Sequence, residues 1–150
     1  MSHTAYVQVN IALQRVTPEV KELLLAALKD AVALVTGLPA EEAGEVRIWG
    51  GRRANVVVAV KNDVFPCGIG VNIDRSGNVR LAYDPFFVVP GRAAAEDVRR
   101  LYKEEVASLV AKRFRQAYAA HAVARALARR GFRVSAGVKG EYLVVVGSRG

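Results

Sequence analysis

The cysteine and histidines are the side chains of this sequence best suited to nucleophilic or metal chemistry. There is one cysteine, Cys67, and there are two histidines, His3 and His121. A reactive thiolate needs a base within hydrogen-bond reach, and His121 is the imidazole that could supply it. These ligands are too few for a structural zinc site. Because cysteines that merely pack and histidines at the edge of a helical packing surface are the commoner cases, we expect structural roles for Cys67 and His121.

The stretch Gly68-Ile69-Gly70 could begin a phosphate-binding loop. A dinucleotide fingerprint would need a third glycine at position 73, where Ile73 stands, and a helix directly after it. We therefore expect no cofactor site there. Gly68, Gly70 and Asn72 instead alternate along one strand, which predicts a strand face that a helix or another stretch of backbone crosses closely.

Three aspartates could form a carboxylate site only if folding brought them together. Asp63, Asp74 and Asp84 are far apart in sequence and lie in turn-forming stretches, which argues against a paired-carboxylate or metal site. Asp84, which precedes Pro85, is predicted to cap the turn that the proline begins. With no recognisable catalytic constellation, the sequence favours a protein that is not an enzyme and has no cofactor or metal.

Positive charge is concentrated in one part of the chain. The formal net charge is +8, and residues 106–140 contain eight basic residues and no acidic one, whereas the remainder holds 14 of each sign. A local field of this sign attracts polyanions, such as nucleic acid, an anionic membrane surface or an acidic protein face.

A long helical stretch carries this charge. Residues 92–130 contain no glycine or proline and predict one long helix or two abutting helices. Apolar residues recur along one side of it, and five cations fall on the other side: Lys112, Arg115, Arg125, Arg129 and Arg130. From Lys112 to Arg130 such a helix spans roughly 27 Å. Arg113 falls inside the apolar arc, which a bend, a buried pair or a contact across an oligomer interface would each explain.

The remaining patterns predict the elements that position these residues. Val7, Val9 and Ile11 alternate with polar residues and indicate a strand, and a helix is predicted between the cap Thr17 and Gly37. An acidic loop around Glu41 and Glu42 then precedes four strands, at 46–49, 55–60, 68–73 and 79–83, which are predicted to form an antiparallel meander. A closing hairpin is predicted at 133–138 and 142–146.

The order β-α-β-β-β-β-α-β-β predicts an α+β fold, an antiparallel sheet with two helices packed on one face, in a single domain over residues 1–150. No apolar run approaches the ~18 residues of a membrane helix, and no signal peptide opens the chain, so we expect a cytoplasmic protein. The aromatic residues Tyr6, Trp49 and Tyr83 are isolated in sequence, so the stacking surface of an RNA-binding module is not predicted.

Several short stretches carry a family resemblance. They are Met1-Ser2-His3, Gly68-Ile69-Gly70, Leu81-Ala82-Tyr83-Asp84 followed by Phe86-Phe87, and Gln116-x-Tyr118-Ala119-x-His121-x-Val123 leading to Gly131-Phe132. Their order and spacing resemble an uncharacterised family of conserved chloroplast and cyanobacterial reading frames, a domain of unknown function with relatives elsewhere. The abundant arginine leans towards a thermophilic relative. Some relatives are encoded beside AAA-type ATPases, which implies an accessory subunit rather than an enzyme.

Two functions are expected from these observations. The first is a binding module that presents Lys112, Arg115, Arg125, Arg129 and Arg130 to a polyanion, RNA or a ribonucleoprotein above all. The second is a protein-interaction subunit, either of an AAA-type ATPase or of a homo-oligomer, that uses the apolar loop of Phe86 and Phe87. This loop either covers an edge of the core or meets a partner.

Overall fold

The protein folds around one antiparallel sheet. The computed structural model describes residues 4–139 and 142–149, so His3 lies outside it. Its strands are β1 (Ala5–Ala12), β2 (Glu41–Ala43), β3 (Arg47–Ile48), β4 (Arg52–Arg53), β5 (Val58–Lys61), β6 (Ile69–Ile73), β7 (Asn78–Tyr83), β8 (Phe132–Lys139) and β9 (Tyr142–Arg149). Its α-helices are α1 (Pro18–Thr36), α2 (Glu96–Arg99) and α3 (Lys103–Arg129). The main sheet has five strands in the order β1-β7-β6-β5-β2. The predicted α+β class is therefore confirmed.

Both ends of α1 and the C-terminal end of α3 form where the sequence predicts. The hydroxyl of Thr17 accepts a hydrogen bond from the Val20 amide at 3.1 Å, which satisfies one of the unpaired amides of the first turn of α1. Gly37 ends this helix at φ 72°. Gly131 follows α3 at φ 88°, a backbone conformation that glycine adopts without steric cost.

Both long helices pack on one face of the sheet. Helix α3 lies over β1 and β7, α1 lies over β5 and β6, and the two helices contact each other along their length. Phe65, Phe114, Leu24 and Leu28 are among the largest side chains that this packing buries completely. Burial of a side chain of this size stabilises the fold by roughly 1.5–3 kcal/mol.

The opposite face of the sheet is crossed by the segment that leads into β5. A Cβ atom added at Gly70 would lie 2.7 Å from Cγ1 of Val56 and 2.8 Å from the carbonyl oxygen of Val58. Asn72 donates a hydrogen bond to the carbonyl of Asn55 at 2.7 Å. The prediction that another backbone passes closely over this strand face is confirmed. Glycine is required at position 70 because any side chain would displace that segment.

Several strands differ from the sequence expectations, and the choice between one helix and two over residues 92–130 is settled. The acidic loop at Glu41 and Glu42 is the edge strand β2, paired with β5, whereas predicted strand 46–49 leaves the sheet and forms a separate two-stranded ribbon from β3 and β4. The closing hairpin β8–β9 also forms its own sheet, which packs against α3. Residues 92–130 contain two helices, because Tyr102 interrupts them in an extended conformation before α3 begins.

Candidate nucleic-acid interface

Helix α3 presents three of the five predicted cations on its outer side, whereas Arg125 and Arg129 lie towards α1. Lys112, Arg115, Arg129 and Arg130 are exposed, and Arg125 is half-buried. At 100° per residue, Lys112 and Arg130 have the same angular position and Arg115 lies about 60° from them. The buried residues of the helix lie elsewhere on its circumference, between Val106 and Ala117. These three cations therefore share one exposed strip along the helix.

Two of the predicted cations are engaged by acidic residues of α1. Arg125 lies 3.4 Å from a carboxylate oxygen of Glu19 and 3.5 Å from one of Glu22. Arg129 also forms an ion pair with Glu19. Pairs with this much solvent exposure contribute on the order of 0–1 kcal/mol to stability. Glu19 and Glu22 of α1 thus neutralise part of the positive charge of residues 106–140.

The other cations of the helix are not engaged in this way. Among residues 4–139 and 142–149, Lys112, Arg115 and Arg130 have no carboxylate within ion-pair distance. Arg113 is also exposed and donates to the side-chain oxygen of Gln116 at 3.1 Å, within the continuous helix α3. It therefore occupies neither a bend nor a buried pair. We define the cationic strip as Lys112, Arg115 and Arg130.

His121 is part of the contact between the two long helices. Its Nε2 atom lies 2.6 Å from a carboxylate oxygen of Asp30 on α1, and both side chains are largely shielded from solvent. A histidine held by a carboxylate is a common orienting pair in active sites, but it is equally suited to joining two helices. The position of His121 at the edge of the packing surface agrees with the sequence expectation.

Cys67 lines a separate cleft of about 610 Å³. The described residues that line it are Glu42, Ala43, Gly44, Glu45, Arg47, Arg53, Lys61, Pro66 and Cys67. Neither His121 nor Asp84 is among them. The three side chains that could have formed a catalytic group are therefore not brought together in this cleft.

Asp84 lies at the centre of an arrangement that the sequence did not predict. Its carboxylate is 3% exposed and accepts hydrogen bonds from two backbone amides, that of Trp49 at 2.7 Å and that of Phe86 at 3.0 Å. The predicted turn-capping role is confirmed by the second bond. The first bond joins the β3–β4 ribbon to the loop that follows β7.

Trp49, Phe86 and Phe87 form an aromatic patch around this joint. The ring centroids of Trp49 and Phe86 are 4.6 Å apart in an edge-to-face arrangement, and those of Phe86 and Phe87 are 5.2 Å apart. The side chain of Trp49 is 51% exposed and that of Phe86 is 58% exposed. The expectation that Trp49 is an isolated aromatic residue was wrong. The sequence did contain one signal for this patch, a tryptophan directly before two glycines in a turn rich in arginine.

Local environment changes the ionisation of three further groups. Burial, and then the charge of Glu104, raise the pKa of Tyr83 to about 12. Burial also raises the pKa of Tyr118. The pKa of Asp74 is lowered, chiefly by the hydrogen bond from the Asn78 amide, in the turn between β6 and β7. None of these groups lies in the cationic strip or in the aromatic patch.

In the part of the chain that the structure describes, no group of His, Cys, Asp and Glu side chains could hold a metal ion. Within the same part, no helix has the length and apolar character needed to cross a membrane. Comparisons with protein-family models, with curated proteins and with solved structures find no match to this chain.

Proposed function

We propose that this protein is a binding module for RNA that contacts the phosphate backbone through its cationic strip. One observation carries the proposal: Lys112, Arg115 and Arg130 are exposed along one side of a helix with no carboxylate within ion-pair distance among the described residues. Lys112 and Arg130 are 18 residues apart in sequence, so the strip extends roughly 27 Å, which spans several successive phosphates.

The two ion-paired arginines can add further contacts to phosphate groups. Arg125 and Arg129 lie at heights between Arg115 and Arg130 along α3 but on its side towards α1, and the side chain of their partner Glu19 is itself 43% exposed. Because exposed ion pairs are weak, a phosphate can compete with Glu19 for either guanidinium. The expected binding is independent of nucleotide sequence, since phosphate contacts position a ligand without reading its bases.

A comparison of two triple variants tests the proposal. Substitution of Lys112, Arg115 and Arg130 by alanine removes three charges from the strip. Substitution of Arg15, Arg75 and Arg92, which are exposed elsewhere, removes the same number and serves as the control. Binding of a labelled mixed-sequence RNA pool is measured by fluorescence anisotropy between 50 and 200 mM salt.

Loss of three phosphate contacts should lower the slope of log K against log salt by about 2, because each single-strand contact contributes about 0.7. The control should retain the wild-type slope. RNA binding that does not change with salt, or that is absent at both salt concentrations, would refute the proposal. So would an equal loss in both variants, since the location of the charge would then be irrelevant.

Purification from native cells separates this function from the alternative of an accessory subunit. Nucleic acid in the peak supports RNA binding. A stoichiometric protein partner without nucleic acid would instead support an interaction subunit that uses the loop of Phe86 and Phe87.

A further inference from the structure

The aromatic patch is held in place although it contributes little buried surface. Trp49 and Phe86 are each more than half exposed, yet the buried carboxylate of Asp84 fixes the backbone of both residues. Burying a carboxylate is unfavourable unless hydrogen bonds compensate for its lost hydration. The fold therefore uses a buried carboxyl group to hold the backbone that carries two solvent-accessible rings. Such preorganisation lowers the entropic cost of binding a ligand.

Both segments that carry the rings also contain cations. The β3–β4 ribbon contains Arg47, Arg52 and Arg53, and Glu45 forms ion pairs with Arg47 at 3.0 Å and with Arg53 at 3.2 Å. Arg52 has no ion-pair partner among the residues that the structure describes, so the ribbon keeps an excess of positive charge.

The loop side of the patch also carries a cation. The ammonium group of Lys103 donates to the carbonyl of Phe86 at 3.2 Å and lies 6.0 Å from the centre of its ring. Exposed aromatic rings with an ammonium group beside one of them and arginines on the same ribbon match one chemical class, a flexible chain of planar bases linked by phosphates. An apolar protein surface would have to desolvate these cations without neutralising them.

We infer that the aromatic patch is a stacking site for unpaired bases of single-stranded RNA, with the ribbon arginines and Lys103 placed to contact the adjoining phosphates. This site is distinct from the cationic strip, and the inference rests on the proposed function only for the ligand class. Duplex RNA should be a poorer ligand here, because its bases are already stacked on one another.

The chain contains one tryptophan, so fluorescence excited at 295 nm reports directly on Trp49. The full-length protein is titrated with a single-stranded RNA 12-mer, with the duplex of the same sequence, and with inorganic polyphosphate. The single strand should quench Trp49, whereas polyphosphate, which has charge but no bases, should bind without quenching. The duplex should quench less than the single strand.

Variants locate the site. Phe86→Ala should weaken single-strand binding roughly 5- to 160-fold, the range that corresponds to loss of one stacked base. Val146→Ala, which truncates a side chain of similar exposure on the separate C-terminal hairpin, should leave affinity unchanged. Far-UV circular dichroism checks that both variants fold.

The possible results distinguish the stacking site from the cationic strip and from contact between two copies of the chain. Binding of the single strand without any change in Trp49 emission, or unchanged affinity in Phe86→Ala, would overturn the stacking site but not the proposed function. Quenching that persists with unchanged affinity when Lys112, Arg115 and Arg130 are replaced by alanine would support the stacking site and argue against the cationic strip. Emission that changes with protein concentration in the absence of RNA would assign the patch to contact with a second copy of the chain and overturn the inference.

Discussion

The proposed RNA binding should be limited by the acidic residues of α1. Glu19 contacts both Arg125 and Arg129, and Glu22 contacts Arg125 at 3.5 Å. Replacing both acids by glutamine keeps the size of the side chains and removes their charge. The double variant should therefore release two guanidinium groups on the side of α3 that faces α1.

The size of the effect follows from the number of cations released. Three contacts to a single strand give a salt slope of about 2.1, and five contacts give about 3.5. Between 50 and 200 mM salt, affinity should then fall roughly 18-fold for the wild type and roughly 130-fold for the double variant. At the lower salt concentration the variant should bind more tightly. Its stability should fall by no more than about 1 kcal/mol per pair, because these pairs are exposed.

Fluorescence anisotropy with labelled single-stranded RNA measures both quantities. The control is Glu41→Gln with Glu42→Gln, which makes the same change in net charge on the exposed edge strand β2. If the two double variants had equal slopes, the gain would come from net charge alone. The reasoning from the Glu19 and Glu22 contacts would then be refuted.

Two further predictions concern the fold. Gly70→Ala should lower the free energy of unfolding in urea by about 1–3 kcal/mol, because the added Cβ atom would clash with Val56 and Val58. The control Gly44→Ala should change it little, because no atom lies within 4 Å of a Cβ atom at that position. Equal losses of stability in the two variants would contradict the close approach at Gly70. The raised pKa of Tyr83, about 12, predicts that its contribution to stability is complete below pH 10 and is lost as pH rises towards 12, because the unfolded state releases the proton first. Tyr83→Phe should flatten this decline in unfolding measurements from pH 9 to 12, and an unchanged decline would exclude Tyr83 as its source.

Local patterns were sufficient to predict the fold class. The alternation of Val7, Val9 and Ile11 depends only on neighbouring residues, as do the caps at Thr17 and Gly131. Strand β2 was missed because glutamate is a poor strand former, and Glu41 and Glu42 are strand residues only through pairing with β5. The pairing of β2 with β5 is a tertiary contact, and a local sequence pattern does not show it.

The candidate sites depend on contacts between distant parts of the sequence. Glu19 and Arg129 are 110 residues apart, and Asp84 and Trp49 are 35 residues apart. The eight cations of residues 106–140 were visible in the sequence, but their partial neutralisation by α1 was not. Likewise, the Phe86-Phe87 loop was recognised as unusually apolar, whereas its junction with Trp49 required the folded chain.

The distribution of burial along α3 has a consequence for its motion. Its fully buried residues all lie between Val106 and Ala117, whereas the turns from Tyr118 onwards are only partly covered. Segments with less burial open at a lower free energy, so amide hydrogens of these last turns should exchange with solvent before those around Val110. The last turns of α3 carry Arg125 and Arg129, and Arg130 follows directly. The backbone of this segment can therefore open locally, and fit a ligand of irregular shape, without unfolding of the core.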